Sequence, residues 1–248
     1  MPEIVKGRSE RGRKVVIYGG PKLGKSTFAA SAPSPVFVPS EDGLLEIEVD
    51  HYPVAVDLES FEANLAHLAK NVGDYRTVVV DSADWLESLI HAKLCQEDNV
   101  SDIAAYGKGY GRGAKATLAR FEAILRKLQW FADRGLNVIV IAHDKFVTID
   151  DPQHGSYSQA TLRMGEATRD RLIEWTDDLL YLTPKIAVDE EKEQASGGSK
   201  RVVKTSYHPA YRAGTRHQMP SEIEIPNPKD GSPWAAYAKH IKGAAANG

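Results

Sequence analysis

A segment near the start of the chain has glycines, a lysine and a hydroxyl side chain at a spacing that suits phosphate binding. The letters GGPKLGKS at 19–26 fit the pattern G-x-x-x-x-G-K-[ST]. The glycines let backbone N–H groups point into one concavity, which would hold the β- and γ-phosphates of a nucleotide. Lys25 would add a cation, and the hydroxyl of Ser26 would bind Mg²⁺. The predicted nucleotide-binding residues are Gly19, Gly20, Pro21, Lys22, Leu23, Gly24, Lys25, Ser26 and Thr27.

A carboxylate at the end of a buried run would complete the metal side of such a site. Asp81 follows the apolar, β-branched residues 77–80. An aspartate at the end of a strand beside a phosphate loop reaches Mg²⁺, commonly through water. Ser26 and Asp81 are therefore the predicted metal ligands.

Hydrolysis also needs a carboxylate that orients and deprotonates water. Ser82 follows Asp81 directly, so this group must come from elsewhere in the chain. Glu41 lies just beyond the apolar run 36–38, and the carboxyl ends of parallel strands share one edge of a sheet. Asp42 and Glu46 compete for the same role, and a solvated acidic turn is the alternative interpretation.

A polar residue also ends a third apolar run. His143 follows 138–142 and would lie at the same edge of the sheet. There it could sense the γ-phosphate and transmit its presence to the segment 144–168. That segment has no clear period and is expected to be a long functional loop. A histidine satisfied by local hydrogen bonds is the alternative.

The elements that would position these residues follow from the hydrophobic pattern. Continuous apolar runs indicate strands covered on both faces, and stripes of apolar residues at helical spacing lie between them. The predicted strands are 14–18, 35–39, 76–80, 137–142 and 178–182. The predicted helices are 58–69, 84–97 and 115–134. This order indicates an α/β fold, a doubly wound and mostly parallel sheet with helices on both faces.

The last third of the chain changes character and predicts antiparallel hairpin strands. These are 184–191 and 200–207, around a Gly-Gly-Ser turn at 197–199. A further short strand is expected at 222–225. A last helix would begin after Ser232, whose hydroxyl is a suitable N-cap.

Four segments together resemble the RecA-like P-loop ATPases, most closely the short bacteriophage members described as nucleotide-binding or single-strand-annealing ATPases. They are GGPKLGKS, FVPSEDGL, VVVDSADWL and VIVIAH. The resemblance implies a RecA-like core over 14–226, with a tail at 1–13 and, at 227–248, an extension with a short helix and a frayed end. It also implies ATP and Mg²⁺ as cofactors. Residues Pro2–Val5 could serve as a short tether to a neighbouring subunit.

The resemblance also assigns roles to individual residues. Glu41 corresponds to the catalytic glutamate, Asp81 to the magnesium-side aspartate, and His143 to the residue that couples ATP to a DNA-binding loop. The letters AGTRHQMP resemble the late K-x-[KR] stretch, which makes Arg216 a finger for the ATP of a neighbouring subunit. The companion basic position falls on Gly214, and either of two basic residues could substitute, Lys204 or Arg212. The predicted catalytic residues are Lys25, Glu41, Asp81, His143 and Arg216.

Two segments would face DNA in a protein of this kind. In the first, 106–113, aromatic and basic residues alternate with glycine, which suits base stacking and phosphate contact. A glycine-rich loop whose tyrosines pack locally is the alternative. The second is 144–168, expected to be disordered until DNA binds. The candidate DNA contacts are Lys108, Tyr110, Arg112, Lys145, Phe146 and Arg163.

Composition limits the compartment. The 248 residues carry a net charge of −3 and a single cysteine, Cys95, so an internal disulfide is excluded. No apolar run reaches the ~18 residues of a membrane span, and the first residues lack the apolar region of a secretory signal. The cytoplasm is the expected compartment, that of a bacterial host if the chain is phage-encoded.

The expected function is a DNA-stimulated ATPase that acts on single-stranded DNA in phage recombination or annealing. The expected partners are single-stranded DNA and further copies of this chain, with a single-strand-binding protein or another recombination protein as a candidate; no membrane is expected. A small-molecule or nucleotide kinase is one alternative, since it would use the same phosphate loop. A slow ATP-dependent switch or loader that binds a protein partner is another.

Overall fold

The computed structural model describes residues 11–153, 155–189 and 194–241. The predicted tether at 2–5 and the predicted frayed end lie outside these residues. The strands are β1 Lys14–Gly19, β2 Pro35–Pro39, β3 Asp50–His51, β4 Thr77–Asp81, β5 Asn137–Asp151, β6 Gly155–Leu162, β7 Asp178–Asp189, β8 Gln194–Lys204, β9 Gly214–Thr215 and β10 Glu222–Ile225. The helices are α1 Lys25–Ala30, α2 Leu58–Lys70, α3 Ala83–Asp98, α4 Arg112–Ala132, α5 Glu166–Trp175 and α6 Pro233–Ala238, with a short 3-10 segment at Ile103–Lys108.

The central sheet has the strand order β10-β8-β7-β1-β5-β4-β2-β3. From β7 to β3 every neighbouring pair is parallel, while β8 and β10 are antiparallel to their neighbours. The predicted α/β fold, mostly parallel with antiparallel strands late in the chain, is confirmed. Because the inner strands are parallel, the ends of β1, β2 and β4 and residue His143 of β5 share one edge, which we call the carboxyl edge.

Helices cover both faces of the sheet, which explains the continuous apolar runs. On one face, α2 to α5 pack side chains such as Phe61, Ile90 and Phe121 against the sheet. On the other, Phe28 of α1 packs against Trp234 and Tyr237 of α6. Strands β1 and β4 are buried along their whole length, because each lies between two strands and two helix layers.

The prediction of a long, mobile loop at 144–168 is wrong. Strand β5 runs past the sheet and pairs with β6 in an antiparallel ladder, from Asp144 opposite Leu162 to Asp151 opposite Gly155. We call this the β5–β6 hairpin. It has no continuous apolar run because no residue of β5 from Asp144 to Asp151 is buried, so cross-strand backbone hydrogen bonds rather than burial define it. Helix α5 begins soon afterwards, at Glu166.

The predicted turn at 197–199 is also wrong. Strand β7 continues from Asp178 to Asp189, and β8 returns from Gln194, with Gly197 paired opposite Ile186. The glycines therefore lie inside a strand, and the connection falls between Asp189 and Gln194. Glycine allows a turn without requiring one, and here the pairing with β7 outweighs the local preference.

Candidate functional site

The phosphate loop connects β1 to α1 at the carboxyl edge. Gly24 adopts a left-handed conformation with φ of 91°, which leads directly into the helix at Lys25. The ammonium of Lys25 donates to the carbonyls of Gly19 at 3.0 Å and Gly20 at 2.9 Å. Burial lowers the pKa of Lys25, and the nearby carboxylate of Asp81 opposes that shift. An anionic phosphate would be a stronger acceptor for this ammonium than two neutral carbonyls.

The two predicted metal ligands lie side by side. Although 55 residues separate them, the hydroxyl of Ser26 donates to Oδ2 of Asp81 at 2.7 Å. Burial raises the pKa of Asp81 to about 6, and the hydrogen bond from Ser26 opposes that shift. A hydroxyl beside a carboxylate is a hard oxygen donor set that fits Mg²⁺.

Within the part of the chain that the structure describes, no three His, Cys, Asp or Glu side chains converge as a metal site. Mg²⁺ in nucleotide sites commonly takes one or two protein ligands, with phosphates and water completing its shell. Ser26 and Asp81 therefore fit a metal that arrives with a nucleotide better than a metal held by the protein alone.

Glu41 is tied to the end of β4 by its backbone. The amides of Ser40 and Glu41 donate to the carbonyl of Asp81 at 2.7 and 3.3 Å, and the hydroxyl of Ser40 bonds the backbone of Ser82. The Glu41 side chain is mostly covered, and its Oε1 lies 3.8 Å from Nδ1 of His143. Its two competitors, Asp42 and Glu46, are exposed. The geometry therefore favours Glu41 as the carboxylate facing the phosphate loop.

His143 lies directly beside the phosphate loop, because it is in register with Gly19 across the β1–β5 pair. Its backbone N–H donates to Oδ1 of Asp84 at 3.1 Å, and its Nδ1 lies 3.1 Å from Oδ2 of the same carboxylate. The imidazole thus lies between the carboxylates of Asp84 and Glu41. The structure brings the predicted sensor to the nucleotide edge, and adds a partner that the sequence did not reveal.

Asp84, that partner, is a functional candidate that the sequence analysis missed. It lies in the first turn of α3 and is almost fully buried, and it also accepts hydrogen bonds from the guanidinium of Arg163. Burial opposes its ionisation, but the bonds from His143 and Arg163 prevail and hold its pKa well below the ordinary value. An acidic residue in the first turn of a helix is common, so the sequence alone suggested only a helix start.

Arg201 is a second residue that the sequence analysis missed. From β8, its Nη1 donates to the carbonyl of Leu23 at 2.9 Å. Its Nη2 donates to the carbonyl of Pro226 at 3.1 Å and to Oδ1 of Asn227 at 3.0 Å. Arg201 therefore joins the phosphate loop to the segment that follows β10. No motif marks this arginine, because the contact spans 178 residues.

Arg216 lies away from the nucleotide site of its own chain. It follows β9, which pairs with the first residues of β7, and its guanidinium approaches Asp177 at 3.7 Å and the Glu174 carbonyl at 3.3 Å. The amide of Asp177 bonds the carbonyl of Lys14 at the start of β1, so Arg216 lies at the edge opposite the phosphate loop. A contact of Arg216 with ATP would therefore require a second subunit.

The two residues considered as companions of Arg216 have partners within the chain. The ammonium of Lys204 pairs with Glu222, and the guanidinium of Arg212 donates to Asp170 at 2.8 Å. Gly214, at the companion position itself, lies in β9. Either cation would have to leave its carboxylate before it could reach a nucleotide.

The candidate DNA contacts fall into two groups. The aromatic residues are open to solvent: Tyr110 is 96% exposed and Phe146 is 67% exposed. Lys108 is also exposed. The remaining cations are tied to the protein, since Arg112 bonds the carbonyl of Gly107 at 2.5 Å, Lys145 bonds that of Met164 at 2.6 Å, and Arg163 bonds Asp84.

The comparisons with known proteins agree with a nucleotide-binding core. A family model described as "AAA domain" matches residues 11–217. The SPbeta prophage-derived uncharacterized protein YorG of Bacillus subtilis (strain 168) is 25% identical over 197 residues, which cover 77% of this chain and 57% of that relative. The chain thus spans little more than half the length of this relative. Among residues 11–153, 155–189 and 194–241, no helix combines the length and apolar character that a membrane crossing requires.

Proposed function

The chain belongs to the AAA domain family, whose model spans residues 11–217, and on this premise we propose that it binds and hydrolyses ATP with Mg²⁺. One observation carries the proposal. The hydroxyl of Ser26 donates a hydrogen bond of 2.7 Å to the buried carboxylate of Asp81, beside the ammonium of Lys25. Glu41 lies at the same carboxyl edge, just after β2. A cation, metal ligands and a carboxylate that can accept a proton are the groups that phosphoanhydride hydrolysis needs.

The residues divide the chemistry among them. Lys25 and the loop amides bind the phosphates and neutralise charge that develops in the transition state. Ser26 and Asp81 would hold Mg²⁺, which when bound polarises the phosphate oxygens. Glu41 orients a water and accepts its proton as the water oxygen bonds to the γ-phosphorus and the bond to the β-phosphate oxygen breaks. The products are ADP and inorganic phosphate.

We further propose that the ATPase has a RecA-like organisation and acts on single-stranded DNA in phage recombination or annealing. Two features support this. His143 joins the nucleotide edge to the start of the β5–β6 hairpin, and the hairpin carries the exposed ring of Phe146. Exposed aromatic rings stack on bases regardless of sequence, which suits a binder of single strands. The prophage origin of the relative supports a phage setting for this chain.

The proposal includes assembly of several subunits. Arg216 is 60% exposed along its side chain and lies at the edge opposite the phosphate loop. A neighbouring subunit could therefore present its Arg216 to the nucleotide of the next, and each interface would complete one site. In such a head-to-tail contact the two surfaces differ, so the assembly would be a ring or a filament.

The test is ATP hydrolysis by the full chain, with and without a single-stranded thymidine oligonucleotide. We expect ADP and inorganic phosphate from the wild type, a faster rate with the oligonucleotide, and no turnover in Lys25→Ala. Lys70→Ala is the matched control, because Lys70 is an exposed lysine at the end of α2.

Three results would contradict the proposal in different ways. Turnover in Lys25→Ala would exclude the assigned phosphate loop. Transfer of the γ-phosphate to a nucleoside or another acceptor, without release of inorganic phosphate, would identify a kinase. Hydrolysis that is indifferent to the oligonucleotide would reject the DNA role and favour a switch that binds a protein partner.

A further inference from the structure

One buried carboxylate holds both ends of the β5–β6 hairpin. His143 immediately precedes the first paired residue of the hairpin, Asp144, and Arg163 immediately follows the last, Leu162. Asp84 accepts from the His143 backbone at 3.1 Å and from Arg163 Nη2 at 2.6 Å. The Arg163 backbone also donates to the His143 carbonyl at 2.8 Å. The residues just before and just after the hairpin are thus both held by the same aspartate.

The same carboxylate orients the group that faces Glu41. Oδ2 of Asp84 lies 3.1 Å from Nδ1 of His143, and Oε1 of Glu41 lies 3.8 Å from that nitrogen. The Arg163 guanidinium shares Oδ2 of Asp84 with the imidazole. Any change in how strongly Arg163 engages Asp84 therefore changes the force that holds His143 relative to Glu41.

Arg163 is the accessible member of this network. Its side chain is 51% exposed, whereas that of Asp84 is 4% exposed. A guanidinium binds a phosphate oxygen as well as it binds a carboxylate, with the same forked geometry. A phosphodiester group that arrives along the hairpin would compete with Asp84 for Arg163.

A helix-capping role does not account for these contacts. Asp84 would be favourable in the first turn of α3 without any partner, because the helix N-terminus attracts negative charge. Such a carboxylate would be solvent-exposed and would leave the imidazole and the guanidinium to find other partners. Here it is buried beneath both, with donors from two distant parts of the chain.

We propose that Asp84 is a positioning residue that couples occupancy of the β5–β6 hairpin to the catalytic carboxylate Glu41, through His143. The ligand sensed at Arg163 is the phosphodiester backbone of a single-stranded nucleic acid. When a phosphate binds Arg163 in place of Asp84, the position of the His143 imidazole relative to Glu41 changes. The rate of ATP hydrolysis changes with it. This inference rests on the proposed ATPase function.

The decisive variant is Asp84→Asn, which keeps the shape of the side chain and removes its charge. At saturating single-stranded oligonucleotide we expect kcat to fall on the order of tenfold, with KM for ATP within about twofold of the wild type. Oligonucleotide affinity should remain within about threefold, because Arg163 is retained. The ratio of stimulated to unstimulated rate should approach one.

Arg163 variants and a control complete the kinetic test. Arg163→Ala should also bring the rate ratio close to one at saturating oligonucleotide, and Arg163→Lys should recover part of it, because the charge remains without the fork. Arg171→Ala is the control: this arginine on α5 pairs with Glu122 at the surface and should retain the wild-type ratio.

A second measurement does not depend on turnover. Amide hydrogen exchange of the β5–β6 hairpin should differ between the wild type with and without a non-hydrolysable ATP analogue. In Asp84→Asn the analogue should bind but leave hairpin exchange unchanged. Equal nucleotide-dependent protection in both proteins would overturn the coupling.

The kinetic result that would overturn the inference is equally definite. If Asp84→Asn keeps the wild-type rate ratio, or loses activity only as KM rises and the melting temperature falls, Asp84 is merely structural. If instead Lys25→Ala matches the wild type in hydrolysis, the proposed function itself fails. The two failures are therefore distinguishable.

Discussion

The guanidinium of Arg201 lies against Gly24, the last glycine of the phosphate loop. A Cβ added at Gly24 would overlap with Nη1 of Arg201, and that nitrogen donates to the neighbouring Leu23 carbonyl at 2.9 Å. Arg201, on β8, thus holds the phosphate loop in place, and its Nη2 also donates to the segment after β10. Gly24 permits both the left-handed turn and the close approach.

This contact predicts that Arg201 contributes to nucleotide affinity. Arg201→Ala should weaken ATP binding on the order of tenfold, because the loop loses a charged donor that holds it in its binding shape. Titration with a fluorescent ATP analogue measures the change. Lys200→Ala is the control, since Lys200 is exposed on the same strand and pairs with Glu224. Equal affinity in the two variants would exclude a bracing role.

Glu41→Gln should separate binding from hydrolysis. The amide is isosteric and stays beside His143, so ATP affinity should change little. It cannot accept a proton, so hydrolysis should slow by a factor on the order of 10² or more. Asp42→Asn alters a neighbouring exposed carboxylate and should hydrolyse normally. Wild-type turnover in Glu41→Gln, measured by phosphate release, would reject the assignment.

Arg216 predicts complementation between two inactive variants. Arg216→Ala would lack the finger and Lys25→Ala would lack the phosphate-binding lysine, so each alone should be nearly inactive. Mixed subunits should regain part of the activity, because the Lys25→Ala subunit still offers Arg216 to an intact site. Normal hydrolysis by Arg216→Ala at all protein concentrations would refute the finger.

A buried tyrosine–aspartate pair predicts a stability effect far from the nucleotide. The hydroxyl of Tyr237 donates to Oδ2 of Asp178 at 2.7 Å, and neither side chain is exposed. Tyr237→Phe should lower the free energy of unfolding by about 1–3 kcal/mol, because a buried carboxylate loses a donor. Urea unfolding measures it, with Tyr75→Phe as the control, since Tyr75 makes a similar bond to Asp50 at the surface. An equal loss in both variants would contradict the burial argument.

The pKa of Asp84 predicts a pH dependence of stability. Because that pKa is lower in the folded protein than its ordinary value of 3.8, the ionised form stabilises the fold. This contribution is fully present above the ordinary value and is lost as the pH falls through the folded value. The stability difference between wild type and Asp84→Asn should narrow as the pH falls from 5 to below about 4. Urea midpoints across this range test it, and a difference that grows on acidification would contradict the assigned shift.

Local sequence was sufficient for the regular core. The apolar runs at 14–18, 35–39 and 76–80 became β1, β2 and β4 within a residue or two. Continuous β-branched residues are favourable only where a strand is covered on both faces, so their pattern carries the fold class directly. The glycine–lysine–serine spacing was equally local, because one loop supplies the whole phosphate cradle.

Segments stabilised mainly by pairing were not readable in the same way. The β5–β6 hairpin and the glycines of β8 lack the patterns of buried strands, and their local sequence predicts a loop and a turn instead. Their backbone hydrogen bonds depend on which strand lies next to them, and the sequence of one strand does not identify its partner.

The sequence by itself determined the parallel core of the sheet, the phosphate loop and the position of Asp81 at the end of its strand, because each depends on neighbours in the chain. The preference for Glu41 over Asp42 and Glu46 came from the structure, in which Glu41 is mostly covered and its two competitors are exposed. Only the tertiary structure decided that Asp84 lies beneath His143 and Arg163, and that Arg201 braces Gly24. These contacts join residues 59 to 178 positions apart. The energy of a charged hydrogen bond depends on distance and burial in space, which spacing along the chain does not encode.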